Sequence, residues 1–215
     1  ANAITGRVVD GPISGSTVFV DTNSNNRLDS TENTATTDTE GNFVLRPNSL
    51  KTMDESATII SLGGTDTFTN KSLNDIALLS TVPSDAKSKV YLTPVSTMLT
   101  GGVDQQSQLT RLNLSQSPTE IAGIDPWTAD TSDSKSKDLL RKNLQVGLIL
   151  HTVNSMVKAD PSNSTSIKVS MQLAKTLAEV GQSNSLDLSS KSIIASILVN
   201  TTTSLSRTGV ELDTL

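Results

Sequence analysis

Along the first 92 residues the apolar positions come in short bursts: "AITGRVVD", "STVFVD", "GNFVLRP", "ATIISLGG", "DIALLST" and "KVYLTP", separated by Gly, Pro, Asn and Asp. Runs of this length between turn formers predict β-strands. In "STVFVD" the alternation sets Thr17, Phe19 and Asp21 on one face and Val18 and Val20 on the other. "SLGGTDTFTN" lacks the Lys and the following helix of a phosphate-binding loop and predicts a hairpin turn. Short strands at this spacing predict an antiparallel β-sandwich over residues 1–92.

From Thr93 onward the period turns helical. "TPVSTMLTGG" offers Thr93 as N-cap, Pro94 at the first helical position and Gly101 or Gly102 as a stop. "SPTE" at 117–120 is a capping box ahead of "IAGI". The longest predicted helix covers about 134–159, where Leu139, Val146, Ile149, Leu150, Val153, Met156 and Val157 form a wide stripe and "DP" at 160–161 ends it. Two more helices are predicted near 165–181 and 189–205, and three such stripes can bury one another. The expected fold class is therefore α+β in two domains, a β-sandwich over 1–92 and an α-helical bundle over 93–215. No internal repeat indicates a solenoid.

Composition narrows the partners. Of 215 residues, 34% are hydrophobic, 18% charged and 2% aromatic, with a net charge of −5 and no cysteine. A chain without a basic patch and with few aromatic rings is a poor match for nucleic acid. Without Cys there is no disulfide, thiolate metal site or thiol catalysis. The longest apolar run, "VGLILHTV", falls well short of the roughly 20 residues that span a bilayer, so no membrane span is expected. The chain begins at Ala1, as expected where an export signal has been removed or a segment excised from a longer protein.

One stretch carries specific chemistry. In "DTNSNNRLDSTE", residues 21–32, oxygen donors fall at the spacing of an EF-hand loop: Asp21, Asn23, Asn25, the Arg27 carbonyl, Asp29 and Glu32. Position 6 of that loop turns through positive φ, and Asn26 stands there. Leu28 occupies the position of the apolar residue that anchors the loop. An all-oxygen set suits hard Ca²⁺, whereas Zn²⁺ favours His or Cys. With three carboxylates and the Arg27 cation nearby, the expected affinity lies in the weak extracellular range of about 10⁻⁴ to 10⁻³ M. A bare polar turn built from Asx turns is the other reading of the same residues. The flanking segments are strands, which separates the loop from helix-loop-helix sensors.

The run from Gly6 to Pro47, with Gly6, Val8, Asp10, the whole loop, and Thr37, Asp38, Gly41 and Phe43 in register, resembles the β-sandwich modules of bacterial cell-surface proteins. These are the collagen-adhesin B-type and serine-aspartate-repeat B-type domains, also grouped as carboxypeptidase-regulatory-like. The resemblance covers about 45 residues and implies a sandwich with a structural calcium site. Some relatives carry a Lys–Asn isopeptide bond; Arg7 stands where its lysine is expected, so no such crosslink is expected here. The later "VYLTPVSTMLT" and "AGIDPW" look like the helical segment that follows such modules in large secreted proteins of Gram-negative bacteria.

His151, the sole histidine, falls on a predicted buried helix and reads as a core-rim residue, and Trp127 as a packing anchor between domains. No nucleophile–base set can be assembled around a single histidine. The expectation is a non-catalytic, calcium-stabilised structural protein of the bacterial cell surface or exterior: an adhesin module, or a subunit of a filament or layer. Its partners are further copies or neighbouring surface-protein modules, and its first strand is a candidate to extend a neighbour's sheet. The alternative is a carbohydrate-binding accessory module of an exported hydrolase, which calls for an exposed aromatic platform.

Overall fold

A computed structural model describes residues 3–46, 57–83, 89–102, 104–158, 164–180 and 185–213. The strands are β1 (Ile4–Val8), β2 (Ile13–Ser14), β3 (Thr17–Asp21), β4 (Thr34–Thr36), β5 (Asn42–Leu45), β6 (Thr58–Leu62), β7 (Thr65–Asp66), β8 (Lys71–Ser72), β9 (Ala77–Thr81) and β10 (Val90–Leu92). The helices are α1 (Pro94–Met98), α2 (Gln105–Arg111), α3 (Pro118–Gly123), α4 (Ser134–Ser155), α5 (Ser164–Glu179) and α6 (Lys191–Arg207). The architecture is α+β, with three mostly antiparallel sheets and the long helices C-terminal.

The sheets have the orders β10-β1-β5, β4-β3-β6-β9 and β2-β7-β8. Among the described strands, only β1 and β10 pair in parallel. Among the described residues β1 is paired on both sides, with β5 along Ile4–Arg7 and with β10 along Gly6–Val8, which leaves little open edge for another strand. The expectation that it extends a neighbour's sheet is therefore corrected. The hairpin expected in "SLGGTDTFTN" is present, with β7 and β8 paired through Thr65–Ser72 and Asp66–Lys71.

In the four-stranded sheet β3, β6 and β9 are buried on both faces, which explains why they read as unbroken apolar runs, while β4 is largely exposed. Val18, Val20, Ile59 and Leu78 enter the main core, together with Ile4 and Val8 of β1 and Phe43 and Leu45 of β5. Phe19, Ile60, Leu62, Ala77 and Leu79 gather on the opposite face around Ile167 of α5. The alternation expected in β3 thus sorts its side chains between two clusters.

The outer edge of β9 is closed by hydroxyls. Ser170 of α5 donates to the Ala77 carbonyl at 2.7 Å, and Ser96 of α1 donates to the Leu79 carbonyl at 2.7 Å. Thr97 Oγ1 accepts the Leu79 N–H at 2.9 Å. These bonds satisfy backbone groups that would otherwise invite another strand.

The expected capping box forms on α3, Ser117 with Glu120, and the expected Thr93 N-cap of α1 proves to be a capping box as well, with Ser96. The first turn of α1 is buried, and the side chain of Asn143 on α4 accepts the Val95 N–H at 3.0 Å, satisfying another orphan donor of that turn. Helix α4 stops at Ser155, short of the expected end. Its follow-on residues pair instead with the chain's last segment, through the Val157–Leu212 bridge and the Lys158 N–H to Glu211 carbonyl bond. The "DP" at 160–161 lies outside the described residues.

The expected boundary at 92/93 falls where β10 runs into α1, and buried residues on both sides belong to one continuous cluster that includes Leu139, Val146, Leu150 and Val153 of α4. Two polar pairs cross the same line. Arg7 of β1 is bonded to Asp125, in the segment after α3, with side chains only 12% and 9% exposed. His151 of α4 meets Asp10 at 2.7 Å. Asp10 lies against Gly147, one helical turn before His151, where a Cβ would come within 2.9 Å of its Oδ1.

Candidate metal centre

The loop from the end of β3 to the start of β4 is built around two buried carboxylates. Asp21, the last residue of β3, is 2% exposed and Glu32 is 9% exposed. Asn26 and Asp29 are half-buried and the other loop residues exposed, so full burial picks out the first and last of the twelve positions.

Each carboxylate is held by main-chain donors. Asp21 accepts from the Asn25 N–H at 3.2 Å through Oδ1 and from the Asn26 N–H at 2.8 Å through Oδ2. Glu32 accepts from the Thr22 N–H at 2.8 Å and its hydroxyl at 3.2 Å, both on Oε1, and from the Asp29 N–H at 3.1 Å on Oε2. The Glu32 N–H in turn donates to the Asp29 carbonyl at 3.1 Å. The loop is thereby closed on itself at both ends.

The three middle side chains meet at one atom. Asp29 Oδ2 accepts from Asn23 Nδ2 at 2.8 Å and from Asn25 Nδ2 at 2.7 Å. Positions 3, 5 and 9 of the expected ligand set are thus together, with Asp21 linked to them through the Asn25 backbone. Arg27 is exposed; its N–H donates to Asn25 Oδ1 at 2.9 Å. Asn26 adopts φ 58°, the left-handed conformation expected at the sixth position, and Ser24 adopts φ 56° as well.

One expectation is corrected. Leu28 is 41% exposed and anchors nothing. In an EF-hand the apolar position packs among flanking helices, whereas strands flank this loop and leave Leu28 outside. Thr22 was the contact that spacing did not reveal: its N–H and hydroxyl both serve Glu32, and the signal was a hydroxyl residue beside the first carboxylate.

The donor set fits Ca²⁺. Asp21, Asp29 and Glu32 supply carboxylate oxygens, and a half-turn of the Asn23 and Asn25 amides exchanges their NH₂ groups for carbonyl oxygens. Among the described residues no ion pair involves Asp21, Asp29 or Glu32. Their charge is met by N–H, amide NH₂ and hydroxyl donors, none of which carries a positive charge. Among the same residues, no three His, Cys, Asp or Glu side chains are gathered as a metal-holding group. A calcium ion at this loop would therefore need the two asparagines as well as the three acids.

No protein-family model, curated protein or solved structure matches the chain. Among the described residues, no helix is long and apolar enough to cross a membrane.

Proposed function

We propose that the protein is a calcium-stabilised, non-catalytic structural protein of the bacterial cell surface or exterior, an adhesin module or a subunit of a filament or layer. In this reading the two larger sheets form a β-sandwich, and the segment 21–32 is an EF-hand-like clamp on its rim. Asp21, Asn23, Asn25, the Arg27 carbonyl, Asp29 and Glu32 hold the ion, which supplies charge neutralisation and rigidity rather than chemistry. The observation that carries it is the pair Asp21 and Glu32, two buried carboxylates that bracket an oxygen-rich loop and, among the described residues, form no ion pair.

A structural role also accounts for the two closed sheet elements. With the β9 edge sealed by Ser96, Thr97 and Ser170, and β1 paired on both sides, assembly proceeds through faces rather than by donating the first strand. Negative-stain images and light scattering of the untagged protein in calcium and in chelator test the proposal. Ordered filaments or sheets that form in calcium and disperse in chelator support it. A monomer under both conditions leaves the module reading and rejects the self-assembling subunit.

A second reading, a carbohydrate-binding accessory module, is favoured by one feature. Phe68 is 73% exposed in the turn between β7 and β8, and its ring meets that of Trp127 with centroids 5.2 Å apart at 68°. Asp66 holds the Phe68 N–H at 2.9 Å, and Asp125 holds the Trp127 N–H at 2.9 Å, so both rings are set on fixed backbone. Such a corner can stack on a sugar ring. Trp127 is the sole tryptophan, so its fluorescence reports directly. Saturable quenching by a soluble polysaccharide, lost in Phe68→Ala, supports this reading, and a flat titration rejects it.

A further inference from the structure

Helix α2 carries a buried amide with nothing to bond. Gln108 is 5% exposed, and neither its Oε1 nor its Nε2 has a hydrogen-bond partner. A buried donor and acceptor left dry are both costly, so a native chain that keeps Gln here satisfies them with something.

The amide lines a small cavity walled by Met98 at the end of α1, Arg111, Leu112, Leu177 of α5 and Leu186. The volume open to a water-sized molecule is about 10 Å³. That is the size of a single water site and too small for an anion such as phosphate or carboxylate. A cation is disfavoured by the Arg111 guanidinium, whose terminal nitrogens donate to the Ala178 and Val180 carbonyls at the end of α5. The occupant must donate to Oε1 and accept from Nε2, and it must be neutral and very small.

We propose that this cavity is a binding site for one ordered water molecule, held by the Gln108 amide. Water is both donor and acceptor and so answers the two atoms of the amide at once. Its place is structural: α1, α2 and α5 meet there, beside the Arg111 grip on the end of α5. The site is independent of the calcium loop.

Gln108→Met tests it, because Met nearly matches the volume and lacks the amide. If the site holds water, the variant strips that water of its partners and Tm falls by about 2 to 4 °C. If the amide is dry, Met relieves an unbonded polar group and Tm rises, which overturns the proposal. On the unaltered protein, a high-resolution crystal structure should show one density peak at about 2.7 to 3.2 Å from both Oε1 and Nε2. An empty cavity, or a larger molecule in it, overturns the proposal whatever the variant does.

Discussion

Two of the protein's buried carboxylate sites are treated differently. Asp125 is held between sheet and helices by Arg7, whose Nε also donates to the Glu40 carbonyl at 2.5 Å. Asp21 and Glu32 are buried to a similar degree, yet they are met by backbone N–H groups and one hydroxyl. The first site carries its own cation and is complete. The second has no cationic partner among the described residues, and in the proposed reading its cation comes from outside. Burial alone therefore does not mark an ion site: Asp66 is also buried and is met by the Phe68 N–H and the Thr69 hydroxyl, so what sets Asp21 and Glu32 apart is the row of oxygen donors between them.

Removing the internal cation is the largest perturbation. Arg7→Met leaves Asp125 buried and unpaired, a change that costs about 3 to 5 kcal/mol. Urea denaturation should show that loss equally in calcium and in chelator. The double variant Arg7→Met/Asp125→Leu should recover most of it, since the uncompensated charge is gone. A loss that appears only in chelator would tie Arg7 to the calcium loop and erase the distinction between the two sites.

The next test withdraws the external cation. At about ten to a hundred times Kd, an ion that binds only the folded state adds about 1.4 to 2.7 kcal/mol. Chelation should lower the stability of the unaltered protein by that amount, and Asp21→Ala should abolish the difference between calcium and chelator. Equal stability of the unaltered protein in both conditions would make the loop a bare turn.

These two sites were unequally legible in the sequence. Asp21 and Glu32 lie eleven positions apart in one loop, so spacing exposed them, and Asn26 announced its positive φ by residue type. Arg7 and Asp125 are 118 positions apart and share no local signature, and His151 and Asp10 are 141 apart. Such pairs exist only once the fold brings them together. The six longer bursts became strands, and the Thr93 N-cap and the Ser117 capping box started helices, because each is a local signal. The two-residue β2, β7 and β8 are too short to show a period, although the turn between β7 and β8 was recognisable. Helix α2 buries little besides Gln108 and Leu109 and so left no apolar stripe. Leu28 misled because its meaning belongs to a helical frame that this loop lacks.

Arg27 offers a finer test of the second site. It is an exposed cation within the loop, and it would oppose the ion of the proposed reading. Arg27→Gln keeps the backbone carbonyl and N–H while removing the charge. Calorimetric titration should show calcium binding about two- to fivefold tighter at low salt, with the gain shrinking as salt screens the repulsion. An unchanged Kd would mean that the ion does not sit within range of residue 27.

Glu120 supplies the smallest effect and the control for burial. It is an exposed carboxylate at the third position of α3, held below its ordinary range first by the Ser117 N–H, at 2.6 Å, and then by the Ser117 hydroxyl. A depressed folded-state value means that the cap stabilises at pH above the ordinary carboxylate range and is lost as pH falls through the lowered value. NMR titration of the Glu120 carboxyl should therefore find a midpoint below that of an unfolded peptide, the same in calcium and in chelator. Asp21 and Glu32 should respond to calcium in the same spectra, since N–H donors hold all three acids but burial distinguishes the loop pair. If Glu120 also moved with calcium, exposed N–H-held carboxylates would be taking the ion, and burial would not be what selects the site.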